Sequence, residues 1–160
     1  MIKLEEDAIA HFNNGNEKRK SRDYHGAILK YSQAIESNPE FSFAYRNRGE
    51  IKYELQDYDG ALKDFSKAIA LGESNAGMYM NRASVKIFLK DYQGALEDLD
   101  QAIRINPRIA KAHYNRAVIR RKLGDKKGAI DDFNCVIRLD PDYAEAKLDA
   151  MDKRTNMKKQ

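Results

Sequence analysis

Four asparagines recur at one spacing: Asn13, Asn47, Asn81 and Asn115, each 34 residues after the last. A side-chain amide offers two N–H donors and a carbonyl acceptor, the complement of a peptide backbone, at about 1 kcal/mol net for each bond made. Asparagine is a poor interior helix former, so its repetition within a helical pattern needs a reason. Two readings meet that need: the amides grip an extended peptide, or each bonds to a neighbouring helix and sets the pitch of the array. A second row, Arg48, Arg82 and Arg116, is followed 16 residues later by Asp64, Asp98 and Asp132. In the first copy both members change, with Asn14 for the arginine and Lys30 for the aspartate. The paired change points to an arginine–aspartate tie between two helices rather than to an anion ladder.

Catalytic chemistry finds no comparable pattern. His11 and His113 hold the same slot in different copies, His25 follows a capping aspartate, and spacing brings no Cys/His or Ser/His/Asp set together. Gly26, Gly60, Gly94 and Gly128 stand singly, so no glycine-rich phosphate loop exists; they read as points of close helix approach. The acidic residues lack the spacing of a calcium loop. The chain therefore reads as no enzyme, with no catalytic, cofactor or metal residues. Cys135 is the only cysteine, which rules out an internal disulfide and fits a reducing, cytoplasmic setting.

These rows need regular elements to carry them, and the chain supplies a period. Asp57-Tyr58-Asp59-Gly60-Ala61-Leu62 returns as Asp91-Tyr92-Gln93-Gly94-Ala95-Leu96, after a first appearance at Asp23–Ile28, and in weaker form at Asp125–Ile130. Equal spacings of 34 mean one structural unit used four times, over 8–41, 42–75, 76–109 and 110–143, with 144–160 left over. Each unit reads as two amphipathic helices. Ala44, Tyr45, Arg48, Ile51 and Leu55 step by threes and fours along one face, and Leu62, Phe65 and Ile69 do so in the next helix. Asp23, Asp57, Asp91 and Asp125 are placed to cap the second helices. Small residues (Ala27, Ala61, Ala95, Ala129 and Ala34, Ala68, Ala102) alternate with bulky ones (Tyr31, Phe65, Leu99, Phe133). Pro39, Pro107 and Pro141 stop second helices.

This pattern resembles the tetratricopeptide repeat, a 34-residue helix–turn–helix unit with small, aromatic and proline residues at set offsets, and the resemblance runs from Ala8 to Tyr143. It implies an all-α, right-handed α-solenoid of four repeats forming a single domain over 1–160, closed by a capping helix over 144–157 on the stripe Ala144, Leu148 and Met151. Two departures carry expectations. Glu73 replaces a proline, so Gly72 ends that helix and the junction of units two and three is less regular. Asn14 and Lys18 replace apolar residues, which predicts a looser first helix. In this family first helices line a concave groove, and a matching asparagine ladder grips peptide backbone in some members.

The resemblance and the residues together define a candidate surface. Asn47, Asn81 and Asn115 would hold peptide backbone, Phe43, Met80, Ile87 and Tyr114 would form apolar pockets, and Arg46 and Lys111 would select charge. The expected partner is a protein or peptide with apolar anchors and acidic character, and the chain an adaptor or scaffold. Self-assembly into a homo-oligomer is a second reading. A chaperone-type carboxylate clamp is a third: Arg46, Asn81 and Lys111 match its pattern, but Glu50 and Asn115 stand where an asparagine and an arginine belong. No run near 18 apolar residues exists to span a membrane, and the acidic N-terminus is no signal peptide. With 29 basic and 25 acidic residues the net charge is +4. Its basic runs, Lys18–Lys20, Arg120–Lys127 and Lys153–Lys159, read as solvated faces rather than a nucleic-acid surface.

Overall fold

The computed structural model describes residues 2–145 and 147. Among these, eight α-helices alternate with short turns: α1 (Ile2–Lys20), α2 (Tyr24–Ser37), α3 (Ser42–Glu54), α4 (Tyr58–Ala70), α5 (Ala76–Phe88), α6 (Tyr92–Ile105), α7 (Ala110–Lys122) and α8 (Lys126–Leu139). Residues 141–145 are helical again, while Leu148, Met151 and most of the expected 144–157 helix lie outside the described residues. The fold class is all-α, built from helix–turn–helix pairs. By their contacts the residues fall into two compact units, Met1–Ala95 and Leu96–Gln160, divided within α6.

Capping aspartates begin the second helix of every pair. Asp23, Asp57, Asp91 and Asp125 accept hydrogen bonds from the backbone N–H groups of Gly26, Gly60, Gly94 and Gly128 at 2.9–3.0 Å. The glycines serve this cap and not the close helix approach their spacing suggested, because an added Cβ would collide with the capping carboxylate. Close approach belongs instead to Gly15 and Gly49 on first helices. A Cβ there would stand 2.6 Å from the Tyr31 ring and 2.9 Å from the Phe65 ring.

First helices end in a turn the sequence did not advertise. Arg22, Gln56 and Lys90 adopt left-handed φ values of 61°, 64° and 63°, with Gly124 at 90° in the fourth repeat. The following aspartate N–H then bonds back five residues, as from Asp57 to Lys52 O at 2.8 Å and from Asp91 to Lys86 O at 2.8 Å. This is the Schellman closure, and it sets the aspartate where it can cap the next helix. Where second helices end, Asn38 and Asn106 precede the prolines and their side chains accept from Glu40 N and Arg108 N at 3.0 and 3.1 Å. The α4–α5 junction differs, as expected. Gly72 takes φ 105°, Glu73 N–H bonds to Ala68 O at 3.1 Å, and Asn75 caps α5 through Met78 N–H.

Helix α1 packs on α2, α3 on α4 and α7 on α8, while α2 also meets α3 and α4 meets α5. Within the first unit, Ala27, Tyr31 and Ile51 form one buried cluster, and Ala61, Phe65, Ala68, Met78 and Val85 another. In the second unit Leu99, Ala102, Ala112, Ala117, Ile119, Ala129 and Val136 are buried. The alanine rows lie in these cores, and Val136 is accommodated where the other repeats have alanine. Leu55, expected on the buried stripe, is exposed at the end of α3.

Candidate functional site

The charged row ties helices together, in agreement with its spacing. Arg48 on α3 donates from Nε and Nη2 to both oxygens of Asp64 on α4 at 2.9 and 2.7 Å, and Lys52 adds a bond at 2.8 Å. In the fourth repeat Arg116 on α7 holds Asp132 on α8 in the same fork at 2.9 and 2.6 Å. Arg82 and Asp98 fall on either side of the division between the units; Asp98 is buried. A further row went unread in the sequence. Arg48 also donates to Ser32 at 2.9 Å, Arg82 to Ser66 at 3.5 Å and Arg116 to Asp100 at 2.7 Å, each partner lying on the preceding helix. Residues 32, 66 and 100 share the 34-residue period, which was the available signal.

Asp132 is held from several sides. At 2% exposure it receives Arg116, a bond from Arg120 at 2.8 Å and the His113 ring at 3.3 Å. Burial by itself would push its carboxyl up, but hydrogen bonds and charge from Arg116, helped by His113 and Arg120, outweigh it and hold the group below the ordinary value. The hydrogen bonds Arg116 donates to Asp132 in turn raise Arg116, against the effect of burial. His113 packs internally, with its other ring nitrogen 2.9 Å from Pro107 O.

The asparagine row is not uniform. Asn47 is 7% exposed and its Nδ2 donates to Asn16 Oδ1 on α1 at 3.0 Å. The Tyr31 hydroxyl donates to the same oxygen at 2.8 Å, so three side chains lock α1, α2 and α3 together. Asn47 thus follows the helix-bonding alternative. Asn81 on α5 and Asn115 on α7 are half-buried, and among the described residues neither side chain makes a hydrogen bond. Asn13 is exposed.

Around Asn81 the first unit forms an open hollow of about 450 Å³, lined also by Arg19, Arg46, Asn47, Glu50, Asn75 and Gly77. Phe43 is 47% exposed beside it in sequence, with the Arg46 guanidinium 4.8 Å over its ring, while Met80 and Ile87 are half-buried. Phe88, 54% exposed, stacks on Tyr58 with ring centres 4.7 Å apart and meets Tyr53 edge-on. The cations here are already engaged: Arg46 bonds Glu73 at 3.1 Å and Arg19 bonds Glu50 at 2.7 Å.

In the second unit, Lys111 is exposed and Tyr114 is half-buried between the rings of Phe133 and Tyr143. Tyr114 helps line an apolar hollow of about 250 Å³ with Phe133, Val136, Ile137 and Ala144, and Lys147 stands 5.6 Å over its ring. Cys135 is half-buried and accepts a contact from Arg138 at 3.0 Å. No helix among the described residues is long and apolar enough to cross a membrane.

Family models for the tetratricopeptide repeat match residues 12–76, 76–109 and 110–143. No curated protein sequence matches the chain. A crystal structure of MamA aligns with a TM-score of 0.81 at 23% identity, covering 85% of this chain and 74% of that one. YrrB, described as a TPR protein with an unusual peptide-binding site, aligns at 0.80 and 25% identity, over 85% of this chain and 70% of its own. The first TPR of Spaghetti (RPAP3), bound to the HSP90 peptide SRMEEVD, aligns at 0.70 and 22% identity, covering 75% and 95%.

Proposed function

Because the chain belongs to the tetratricopeptide repeat family, we propose that it is a non-enzymatic interaction module whose first-helix surfaces hold a peptide or an extended segment of another protein. One observation carries this reading: among the described residues the half-buried amides of Asn81 and Asn115 make no hydrogen bond, whereas Asn47 in the same row is consumed internally. A half-buried amide without a partner is a poor structural element and a good ligand group. In the first unit Asn81 takes guest backbone, with Phe43, Met80 and Ile87 as apolar contacts. In the second unit Asn115 plays that part, with Tyr114 and Lys111 beside it. That YrrB and Spaghetti are described with peptides is consistent with this use of the fold.

Charge selection divides between the units. Lys111 makes no ion pair among the described residues and favours an acidic guest, while Arg46 is already neutralised. The internal pairing of Arg46 and of Glu50 argues for amide and apolar contacts over a carboxylate clamp. A guest bound in this way would sit in the micromolar range, about −8 kcal/mol. Self-assembly is the second reading, favoured by Ile130 and Ile137, which both lie exposed on α8 one heptad apart. Light scattering across a concentration series separates the two, since a strict monomer removes it.

The direct test is capture of partners by wild type and by an Asn81→Ala/Asn115→Ala variant, read by mass spectrometry. Proteins held by wild type and lost with the variant are expected. An identical set at equal yield overturns the assignment of the amides.

A further inference from the structure

We propose that Glu73 determines which charge the first unit accepts, acting as a built-in counter-ion that occupies Arg46 and turns carboxylate-bearing guests away. The inference rests on the interaction reading above and deepens it. Position 73 falls 34 residues after Pro39 and 34 before Pro107, so a glutamate stands where the neighbouring repeats use proline. The backbone is rebuilt to allow it: Gly72 makes the turn at φ 105°, and Glu73 N–H supplies a bond to Ala68 O that a proline could not donate. The side chain then turns inward. Only 9% of it is exposed, and Oε2 accepts from Arg46 Nη1 across 27 residues of sequence.

Arg46 also touches other residues of the candidate surface. Its Nε donates to Asn47 Oδ1 at 3.3 Å, its guanidinium covers the Phe43 ring, and it lines the hollow that holds Asn81. Left alone it would attract a carboxylate, as its place in the sequence suggests. With Glu73 on it, an acidic guest must break one ion pair to make another and meets a like charge as it does so. The hollow's other cation, Arg19, is cancelled by Glu50 in the same way. Glu73 Oε1 is buried and accepts no bond among the described residues, so Arg46 alone holds the carboxylate and the pair is suited to exchange. The guest that fits is electrically neutral at this point, with apolar anchors and backbone or amide groups for Asn81.

The test is a parallel selection from a random peptide display library on wild type and on Glu73→Gln. Folding of both is checked by thermal melting, and Glu73→Ala is carried as a second variant should Gln re-bond Arg46. All proteins are expected to enrich acidic peptides whose binding is lost with Lys111→Ala. Among peptides whose binding survives Lys111→Ala, wild type is expected to show no acidic bias and the variants to enrich Asp or Glu beside the apolar anchor. Synthetic copies of those acidic peptides should bind the variants about tenfold tighter than wild type, a gap that narrows as salt is raised. Binding should fall again when Asn81→Ala is added. Equal enrichment of such Lys111-independent acidic peptides on wild type, or equal affinity for both proteins, overturns the role of Glu73, while indifference to Asn81→Ala overturns the assignment of that amide. Failure of every protein to enrich any peptide over bare matrix overturns the interaction reading itself, and the Glu73 assignment with it.

Discussion

Asn47 and Asn81 occupy the same slot of adjacent repeats, and their neighbours leave them in different states of bonding. Asn47 meets Asn16 and Tyr31, whereas Asn81, 34 residues on, meets no donor or acceptor among the described residues. Asn47→Ala should therefore cost about 1–2 kcal/mol, through the orphaned partners it leaves, while Asn81→Ala should stay within about 0.5 kcal/mol. Chemical denaturation of the two variants checks this, and equal losses would refute it. Asp132→Ala leaves two arginines short of their partner and should cost about 3–5 kcal/mol. Because its folded pKa is lowered, Asp132 contributes stability that is fully present above the ordinary value of 3.8 and is lost as pH falls below it toward the depressed one. Acid titration of stability in Asp132→Asn should lack that component, and an unchanged acid limb would contradict it.

Helix ends show where element-level signals were strong and where they were silent. The aspartate caps were legible, since Asp followed three residues later by a conformationally free N–H donor is a recognisable start. The left-handed residues closing first helices were not, because Gln56 and Lys90 carry no mark of that conformation and only Gly124 has the expected residue type. Their geometry is imposed by the turn, at a cost of about 1–2 kcal/mol for a side chain in the left-handed region. Gln56→Gly removes that cost and loses some in chain entropy, so it should stabilise by about 0.5–1 kcal/mol. Thermal unfolding of Gln56→Gly and Lys90→Gly should show higher midpoints; lower ones would mean these side chains make contacts that outweigh the strain. The proline-free junction was anticipated from Gly72. The inward turn of Glu73 could not be, because its partner Arg46 is 27 residues away and one helix pair earlier.

For the molecule as a whole, the count of 29 basic residues overstates how many cations are available to a polyanion. Arg19, Arg46, Arg48, Arg116 and Arg120 are all held by carboxylates. Filter binding of single-stranded RNA should accordingly show no salt-dependent retention at physiological ionic strength, and a steep salt slope would revive a nucleic-acid role for the Arg120–Lys127 run. A 34-residue period with alternating small and large residues suffices to specify paired helices, their caps and the alanine rows at their contacts. All of those depend on local geometry and on neighbours one period away. The Arg48–Asp64 and Arg116–Asp132 ties were equally readable, because both partners vary together from copy to copy. What the period could not say is which member of a repeated row is spent and which is spare. That follows from the departures in neighbouring repeats: Asn16 claims Asn47 and Glu73 claims Arg46, while nothing comparable among the described residues reaches Asn81. Repetition along the chain sets equivalent positions, and only three-dimensional packing of non-equivalent neighbours ties one amide into the fold and leaves the next without a hydrogen bond among the described residues.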